Sequence, residues 1–198
     1  PVRDHETGIV VGYQCRQTHL NASKQYKYLN IADYEDNLMT NENGTTFRNF
    51  IPFKPGNFLF NLYELKDKRI NTLWITEGIA DAIKLSNMGY NAVSPEQANL
   101  TDFQIYLIDK YFGRDVTLNL FFDNDDHKVG QSKSIAAAYR LWQFGFRNIR
   151  IISTFKELGK DITDCSVKLR DDNMLRLLIS LWEKQAYSFT PASNEDLN

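Results

Sequence analysis

Residues 71–153 alternate between short apolar runs and longer segments with helical periodicity, and this alternation constrains the fold more than any other feature of the chain. Four strands are predicted, over residues 72–76, 91–94, 116–122 and 148–153. Helices are predicted between them, over about 79–88, 101–112 and 132–144. This βαβαβαβ order implies right-handed crossovers and therefore a Rossmann-like parallel sheet with helices on both faces.

Acidic residues follow two of these predicted strands. Glu77 and Asp81 come after the first, and Asp123 and Asp125 come after the strand over 116–122. The carboxyl ends of parallel strands meet at one edge of a sheet, which is where ligands bind in open α/β folds. Carboxylates gathered there repel one another unless a divalent cation neutralises them. The pattern therefore predicts a metal-dependent site for phosphate chemistry.

A third segment adds another acid, Asp161, which follows the fourth predicted strand and would lie near the same edge. Oxygen-only ligands suit Mg²⁺ or Mn²⁺, and such ions could activate a hydroxyl and stabilise a leaving oxygen in phosphoryl transfer. Either cluster alone also has a simpler interpretation, because aspartates are common at helix N-termini and in loops. The occurrence of both clusters at corresponding strand ends favours the metal site.

The composition leaves few classes of protein open. The 198 residues are 42% hydrophobic, and no apolar run approaches the roughly 18 residues of a membrane span. The start of the chain lacks the pattern of a secretory signal. Only Cys15 and Cys165 occur, which argues against a disulfide scaffold within this segment. We therefore expect a cytoplasmic protein without a membrane partner, and the net charge of −2 leaves nucleic-acid binding open.

The chain divides into three parts by pattern. Residues 1–70 are predicted to form a smaller mixed α+β subdomain, with strands over 9–16 and 45–51, a loop-rich stretch over 20–44 and a short helix over 58–66. Residues 71–166 form the α/β domain. Residues 167–198 hold one amphipathic helix and a tail that we expect to fray from residue 188.

Three short motifs resemble the TOPRIM domain, which primases, topoisomerases and some nucleases share. They are residues 77–81 (EGIAD), 123–125 (DND) and 160–161 (KD), within residues 71–166. Residues 8–16 (GIVVGYQCR), 27–30 (KYLN) and 53–64 (FKPGNFLFNLYE) resemble the core of DnaG-type primases from bacteria and phages. The resemblance extends over roughly residues 1–166.

The resemblance implies a DNA-directed RNA polymerase, a nucleotidyltransferase that makes short RNA primers on single-stranded DNA from nucleoside triphosphates. It implies Mg²⁺ or Mn²⁺ as cofactor, and a replicative helicase as a partner that regions outside this chain would bind. By resemblance the catalytic acids are Glu77, Asp81, Asp123 and Asp125, and the metal ligands are Glu77, Asp123, Asp125 and Asp161. Arg16, Lys27 and Lys54 would bind template and nucleotide phosphates.

The chain departs from the family pattern at three positions. Gly130 comes about two residues late after the acidic pair, Pro55 is an extra residue, and Thr163 replaces the second acid of the usual Asp-Pro-Asp motif. A threonine cannot replace a carboxylate ligand. Two alternatives stay open: a small TOPRIM nuclease that hydrolyses RNA or DNA, and a non-catalytic nucleic-acid binding module. A topoisomerase is less expected, because its strand-cleaving tyrosine belongs to a separate large domain.

Overall fold

The N-terminal part of the chain is mostly β structure. The computed structural model describes residues 1–16, 28–32, 38–40, 43–44, 46–48, 53–95, 99–124 and 129–191. Strands β1 (Val2–Arg3), β2 (Val10–Arg16) and β3 (Tyr28–Ala32) form an antiparallel sheet in that order, and β4 (Leu38–Thr40) pairs with β5 (Thr46–Arg48). A 3-10 turn at Pro55–Asn57 and a short helix, α1 (Leu62–Leu65), follow.

Two predictions for this part need correction. The stretch over 20–44, predicted to be loop-rich, contains β3 and β4. Strand β3 forms by pairing its backbone with β2, so it does not need a long apolar run. The helix predicted over 58–66 is only α1, because Phe60 forms a bridge with Ser94 and Asn61 has a left-handed backbone (φ 68°) that a helix interior does not accept.

A five-stranded sheet dominates the rest of the chain. Its elements, in chain order, are β6 (Thr72–Thr76), α2 (Ile79–Asn87), β7 (Ala92–Val93), α3 (Asp102–Phe112), β8 (Thr117–Phe121), α4 (Val129–Gln143), β9 (Ile149–Ile151), α5 (Ile162–Leu169), α6 (Asp172–Lys184) and β10 (Tyr187–Ser188). The strand order is β10-β9-β8-β6-β7. Strands β6 to β9 are parallel and β10 is antiparallel, so the predicted parallel α/β sheet is confirmed.

Both faces of the sheet are covered because β6 and β8 alternate apolar side chains between them. Leu73 and Leu118 belong to a core cluster that includes residues of α3 and α4. Trp74 and Phe121 belong to a second cluster with residues of α2, α5 and α6. Strands that are buried on both faces carry apolar residues at most positions, and this pattern over residues 116–122 predicted β8.

The C-terminal segment is part of this sheet. Helix α5, which the sequence pattern did not predict, and helix α6 pack on one face, and β10 forms the edge next to β9. The predicted fraying from residue 188 is wrong for Phe189, which is only 7% exposed and packs in the core with Trp142. Burial of its aromatic ring holds Phe189 in the core although it lies close to the end of the given sequence.

In the part of the chain that the structure describes, no helix is both long enough and apolar enough to cross a membrane.

Candidate metal centre and active site

Three carboxylates from three separate elements meet at the carboxyl ends of the parallel strands. Asp81 lies in the first turn of α2, Asp123 follows β8, and Asp161 is the N-cap of α5 after β9. One oxygen from each of the three lies within 4.8 Å of the others. The parallel topology thus brings together residues that are up to 80 positions apart in the sequence.

Asp81 is the most buried of the three, with 7% of its surface exposed. Its Oδ1 accepts hydrogen bonds from the backbone N–H of Thr163 at 3.1 Å and from the hydroxyl of Thr163 at 2.7 Å. Burial, followed by repulsion from Asp161, raises the pKa of Asp81 from 3.8 to about 6, although the bonds from Thr163 oppose the shift. A charged Asp81 is therefore a destabilising group that a nearby cation would relieve.

Lys160 contacts both of the other two acids. Its Nζ donates to Oδ2 of Asp123 and, at 2.6 Å, to Oδ2 of Asp161. Burial raises the pKa of Asp123 even though Lys160 opposes it. Burial alone would lower the pKa of Lys160, but its bonds to the two carboxylates outweigh burial and raise that pKa. The lysine is thus charged and is shared by two carboxylates.

Glu77, the first acid after β6, has a different partner. Its Oε1 accepts a 2.5 Å hydrogen bond from Nζ of Lys133 on α4, and both side chains are about three-quarters buried. Its Oε2 is buried, and no group in the described residues donates to it. The charge of Glu77 contributes to the raised pKa of Asp123, which places the two acids near each other.

Two backbone loops are tied together beneath these acids. The N–H of Asn124 donates to the carbonyl of Lys160 at 2.6 Å, and its Nδ2 donates to the carbonyl of Thr154 at 2.8 Å. The hydroxyl of Thr154 in turn donates to the carbonyl of Gly159 at 2.6 Å. These bonds fix the loop that carries Asp123 against the loop that carries Asp161.

Some predicted site residues cannot be related to this geometry. Asp125 and Lys27 lie outside the described residues, and Arg16 ends β2 without a described side chain. Lys54 is exposed and precedes the 3-10 turn. The roles assigned to these residues stay predictions.

Sequence reasoning missed Lys133 and Asn124, and it treated Thr163 only as a lost ligand. Lys133 lies 56 positions from Glu77, and Asn124 was only the middle residue of the acidic pair. Thr163 supplies no carboxylate here, but it donates twice to Asp81. A sequence motif can identify a carboxylate at this position, but it does not identify a residue that donates hydrogen bonds to a carboxylate.

The donor set fits a hard divalent cation. Within the described residues, Asp81, Asp123 and Asp161 are the group of acids, histidines or cysteines close enough to hold a metal ion. All three offer oxygen, which Mg²⁺ and Mn²⁺ prefer, and they come from three separate segments of the chain. Burial, followed by repulsion from Asp161, raises the pKa of Asp81, so a cation bound beside it would stabilise its charged form.

A DNA primase is among the relatives of this chain. No protein-family model matches it. The DNA primase of Mycoplasma genitalium is 35% identical over an alignment of 196 residues. This alignment covers 93% of this chain and 28% of that protein. The chain thus spans a little over a quarter of the length of this curated relative.

Several solved structures that resemble the chain contain primase catalytic domains. The Aquifex aeolicus primase, solved with its zinc-binding and RNA polymerase domains, is 26% identical with a TM-score of 0.62, over 91% of this chain and 38% of that one. A DnaG catalytic domain bound to single-stranded DNA is 22% identical with a TM-score of 0.63, over 94% of this chain and 50% of that one. The E. coli primase catalytic core is 23% identical with a TM-score of 0.58, over 94% of this chain and 51% of that one. Both share the fold of this chain. In sequence the chain is similar to part of a DNA primase, and in fold it is similar to DnaG-type primase catalytic cores.

Proposed function

We propose that this chain is the catalytic core of a DNA primase, which joins nucleoside triphosphates into a short RNA primer on a single-stranded DNA template. The observation that carries the proposal is the convergence of Asp81, Asp123 and Asp161 at the carboxyl edge of a primase-like sheet. Bringing three acids from distant parts of the chain together costs folding free energy unless a cation binds them, because the carboxylates repel one another.

We assign a divalent cation, Mg²⁺ or Mn²⁺, to Asp81, Asp123 and Asp161, and we include Glu77 and Asp125 in the same site. When bound, such an ion stabilises negative charge on a phosphate and promotes loss of the proton from an attacking hydroxyl. Glu77 keeps Oε2 free of described donors, so we assign this oxygen to the ion or to the hydroxyl proton.

The proposed reaction is a phosphoryl transfer. The 3′ oxygen of the growing primer forms a bond to the α-phosphorus of the nucleotide, and the bond from that phosphorus to the β-phosphate oxygen breaks, so that pyrophosphate leaves. The protein's part is to hold the acids in place before the substrates arrive, because positioning and charge stabilisation supply most of the catalysis in such reactions.

The proposed partners are single-stranded DNA, nucleoside triphosphates and a helicase. Arg16, Lys27 and Lys54 are assigned to phosphates, which would make template binding strongly salt-dependent. The DnaG catalytic domain with a similar fold was solved bound to single-stranded DNA, which supports single-stranded DNA as the template. The primase fragment of the bacteriophage T7 primase-helicase protein shares the fold at 17% identity and a TM-score of 0.55, and it suggests a helicase contacted by other parts of a longer protein.

Primer synthesis on a single-stranded template tests the proposal directly. Labelled nucleotides with Mg²⁺ or Mn²⁺ should give labelled RNA, both from nucleotides alone and by elongation of a supplied primer. Asp123→Asn should reduce the product at least about 100-fold, because the charge that binds the cation is lost. Asp109→Asn, the same change on the exposed part of α3, should leave the rate within about twofold of the original chain.

Other outcomes would assign another function. Metal-dependent shortening of RNA or DNA, with no labelled product from nucleotides, would indicate a TOPRIM nuclease. Binding of nucleic acid without turnover under all metal conditions would indicate a non-catalytic binding module. Equal activity of the Asp123→Asn variant and the original chain would refute the assignment of the site.

A further inference from the structure

Lys160 places a positive charge where a divalent ion would contact two of the three clustered acids. Its Nζ contacts Oδ2 of Asp123 and Oδ2 of Asp161, and both acids belong to the candidate metal cluster. We propose that Lys160 is an internal counter-cation that occupies these two carboxylates while the site is metal-free and competes with the divalent ion for them. This inference rests on the metal site of the proposed function.

The two cations cannot both use the same oxygens well. Mg²⁺ binds carboxylate oxygen at about 2.0–2.1 Å, and the ammonium of Lys160 already contacts one oxygen of each of these two carboxylates at hydrogen-bond distance. A divalent ion and an ammonium this close repel each other strongly, even with the screening of a half-exposed site. Binding of the ion therefore requires the ammonium of Lys160 to move away.

The structure allows the side chain of Lys160 to move while its backbone stays fixed. The backbone carbonyl accepts a 2.6 Å hydrogen bond from the N–H of Asn124, and the next residue, Asp161, caps α5 by accepting from the N–H of Asp164 at 2.7 Å. The side chain is 41% exposed, so four flexible carbons lead to an ammonium that solvent can reach. The exchange of cations then needs no rearrangement of the loops that carry the acids.

Competition and a purely structural role predict opposite effects on metal affinity. If Lys160 competes with the ion, its removal strengthens metal binding. If Lys160 only holds the acids together, its removal lets Asp123 and Asp161 move apart and weakens metal binding. The sign of the change therefore decides between the two roles.

Calorimetric titration of Mn²⁺ into the metal-free chain measures this sign. Lys160→Gln, which removes the charge but keeps a hydrogen-bond donor, should bind Mn²⁺ about tenfold more tightly than the original chain. Lys160→Arg keeps the charge and should restore the original affinity to within about twofold. Lys168→Gln, the same change at the exposed lysine that donates to the carbonyl of Glu157, should also stay within about twofold.

Two further measurements keep the test decisive. Lys160→Met also removes the charge but introduces no amide. If one of the two uncharged variants fails to fold, the other still gives the sign of the change in Mn²⁺ affinity. Added Mn²⁺ should raise the melting temperature of the Lys160→Gln variant more than that of the original chain, because at one ligand concentration tighter binding to the folded state gives a larger stabilisation. Mn²⁺ binding that is equal or weaker in both uncharged variants overturns the proposal.

Primer synthesis separates this inference from the proposed function. A chain that makes primers but shows no gain in Mn²⁺ affinity without Lys160 refutes the competition and leaves the primase function intact. A chain that makes no primers, but whose uncharged variants bind Mn²⁺ more tightly, refutes the function and leaves the competition intact. Absence of Mn²⁺ binding in every variant, including those without Lys160, refutes both.

Discussion

Replacing Asp81 by asparagine should stabilise the metal-free fold while it weakens metal binding. Asp81 is nearly fully buried, and its only described hydrogen-bond partner is Thr163, which donates from its backbone and its hydroxyl. Burial and the charge of Asp161 raise the pKa of Asp81 from 3.8 to about 6. The ionised side chain is therefore less stable in the folded chain than in the unfolded one.

The size of the effect follows from the pKa shift. A rise of about two units, at about 1.4 kcal/mol per unit, means that ionised Asp81 costs the fold about 3 kcal/mol at pH 7. Asparagine has the same shape without the charge. Its Oδ1 can keep both bonds from Thr163, and its Nδ2 would face the neighbouring carboxylates. We expect Asp81→Asn to gain about 2–3 kcal/mol of unfolding free energy at pH 7.

The gain should depend on pH in a particular direction. Because the pKa of Asp81 is raised by folding, the folded state binds the proton more tightly than the unfolded state does. The cost is fully present above about pH 6, decreases as the pH falls from 6 towards 4, and is absent below 3.8, where both states are protonated. The advantage of Asp81→Asn should therefore shrink to nearly zero at pH 4.

Urea unfolding in EDTA between pH 4 and pH 8, followed by the fluorescence of the buried Trp74 and Trp182, measures this advantage. Asp109→Asn, at an exposed ion pair with Arg114, provides the control and should show no gain that grows between pH 4 and pH 6. A variant less stable than the original chain at pH 7, or an advantage that is the same at pH 4 and pH 7, would refute the reasoning. The same variant should bind Mn²⁺ at least about tenfold more weakly.

Three other changes test parts of the structure. Thr163→Val removes the 2.7 Å hydroxyl bond to Asp81 and should cost about 1–2 kcal/mol at pH 7 in urea unfolding, whereas a neutral result would contradict that bond. Phe189→Ala should cost about 3 kcal/mol in the same assay, and a cost below about 1 kcal/mol would mean that the C-terminal ring is not in the core. Thr101→Ala breaks the capping box of α3 and should lower unfolding free energy by about 1 kcal/mol, measured by thermal melting, with Thr101→Ser largely restoring it.

The α/β sheet was predictable because its strands are buried on both faces. The predicted segment over residues 116–122, which contains β8, is apolar at five of seven positions, and such runs separated by helical periodicity indicate parallel strands. The approach of Asp81 to Asp123 followed from the same pattern, since parallel strands place their carboxyl ends at one edge. The capping of α3 by Thr101 is a local signal, and the predicted helix over 101–112 begins there.

Elements that depend on backbone pairing were not predictable in the same way. Strand β3 lies in a polar stretch, and its partner β2 supplies the hydrogen bonds that define it. Strand β10 is two residues long, and it exists because Phe189 is buried beside β9. Neither strand has an apolar period long enough to distinguish it from a loop.

The partners of the acids also depend on the folded loops. The sequence places Lys160 beside Asp161, but its contact with Asp123 spans 37 positions and exists only because Asn124 joins the two loops. The contact between Lys133 and Glu77 depends on where α4 begins after the loop of Asp123. Residue types alone indicate that cations will face the acids, but they do not assign one cation to one acid.

These assignments explain why Asp81 should control metal binding. Four acids and two lysines face one another in the described site, so their formal charges sum to −2, the charge that one divalent ion cancels. Lys133 pairs with Glu77, and Lys160 is shared by Asp123 and Asp161. Asp81 alone among the four has no described lysine, and it is the most buried. One of the two residual negative charges therefore lies on Asp81, and the other is shared by Asp123 and Asp161. Because Asp81 is the most buried of these acids, the group that destabilises the metal-free fold also attracts the cation strongly.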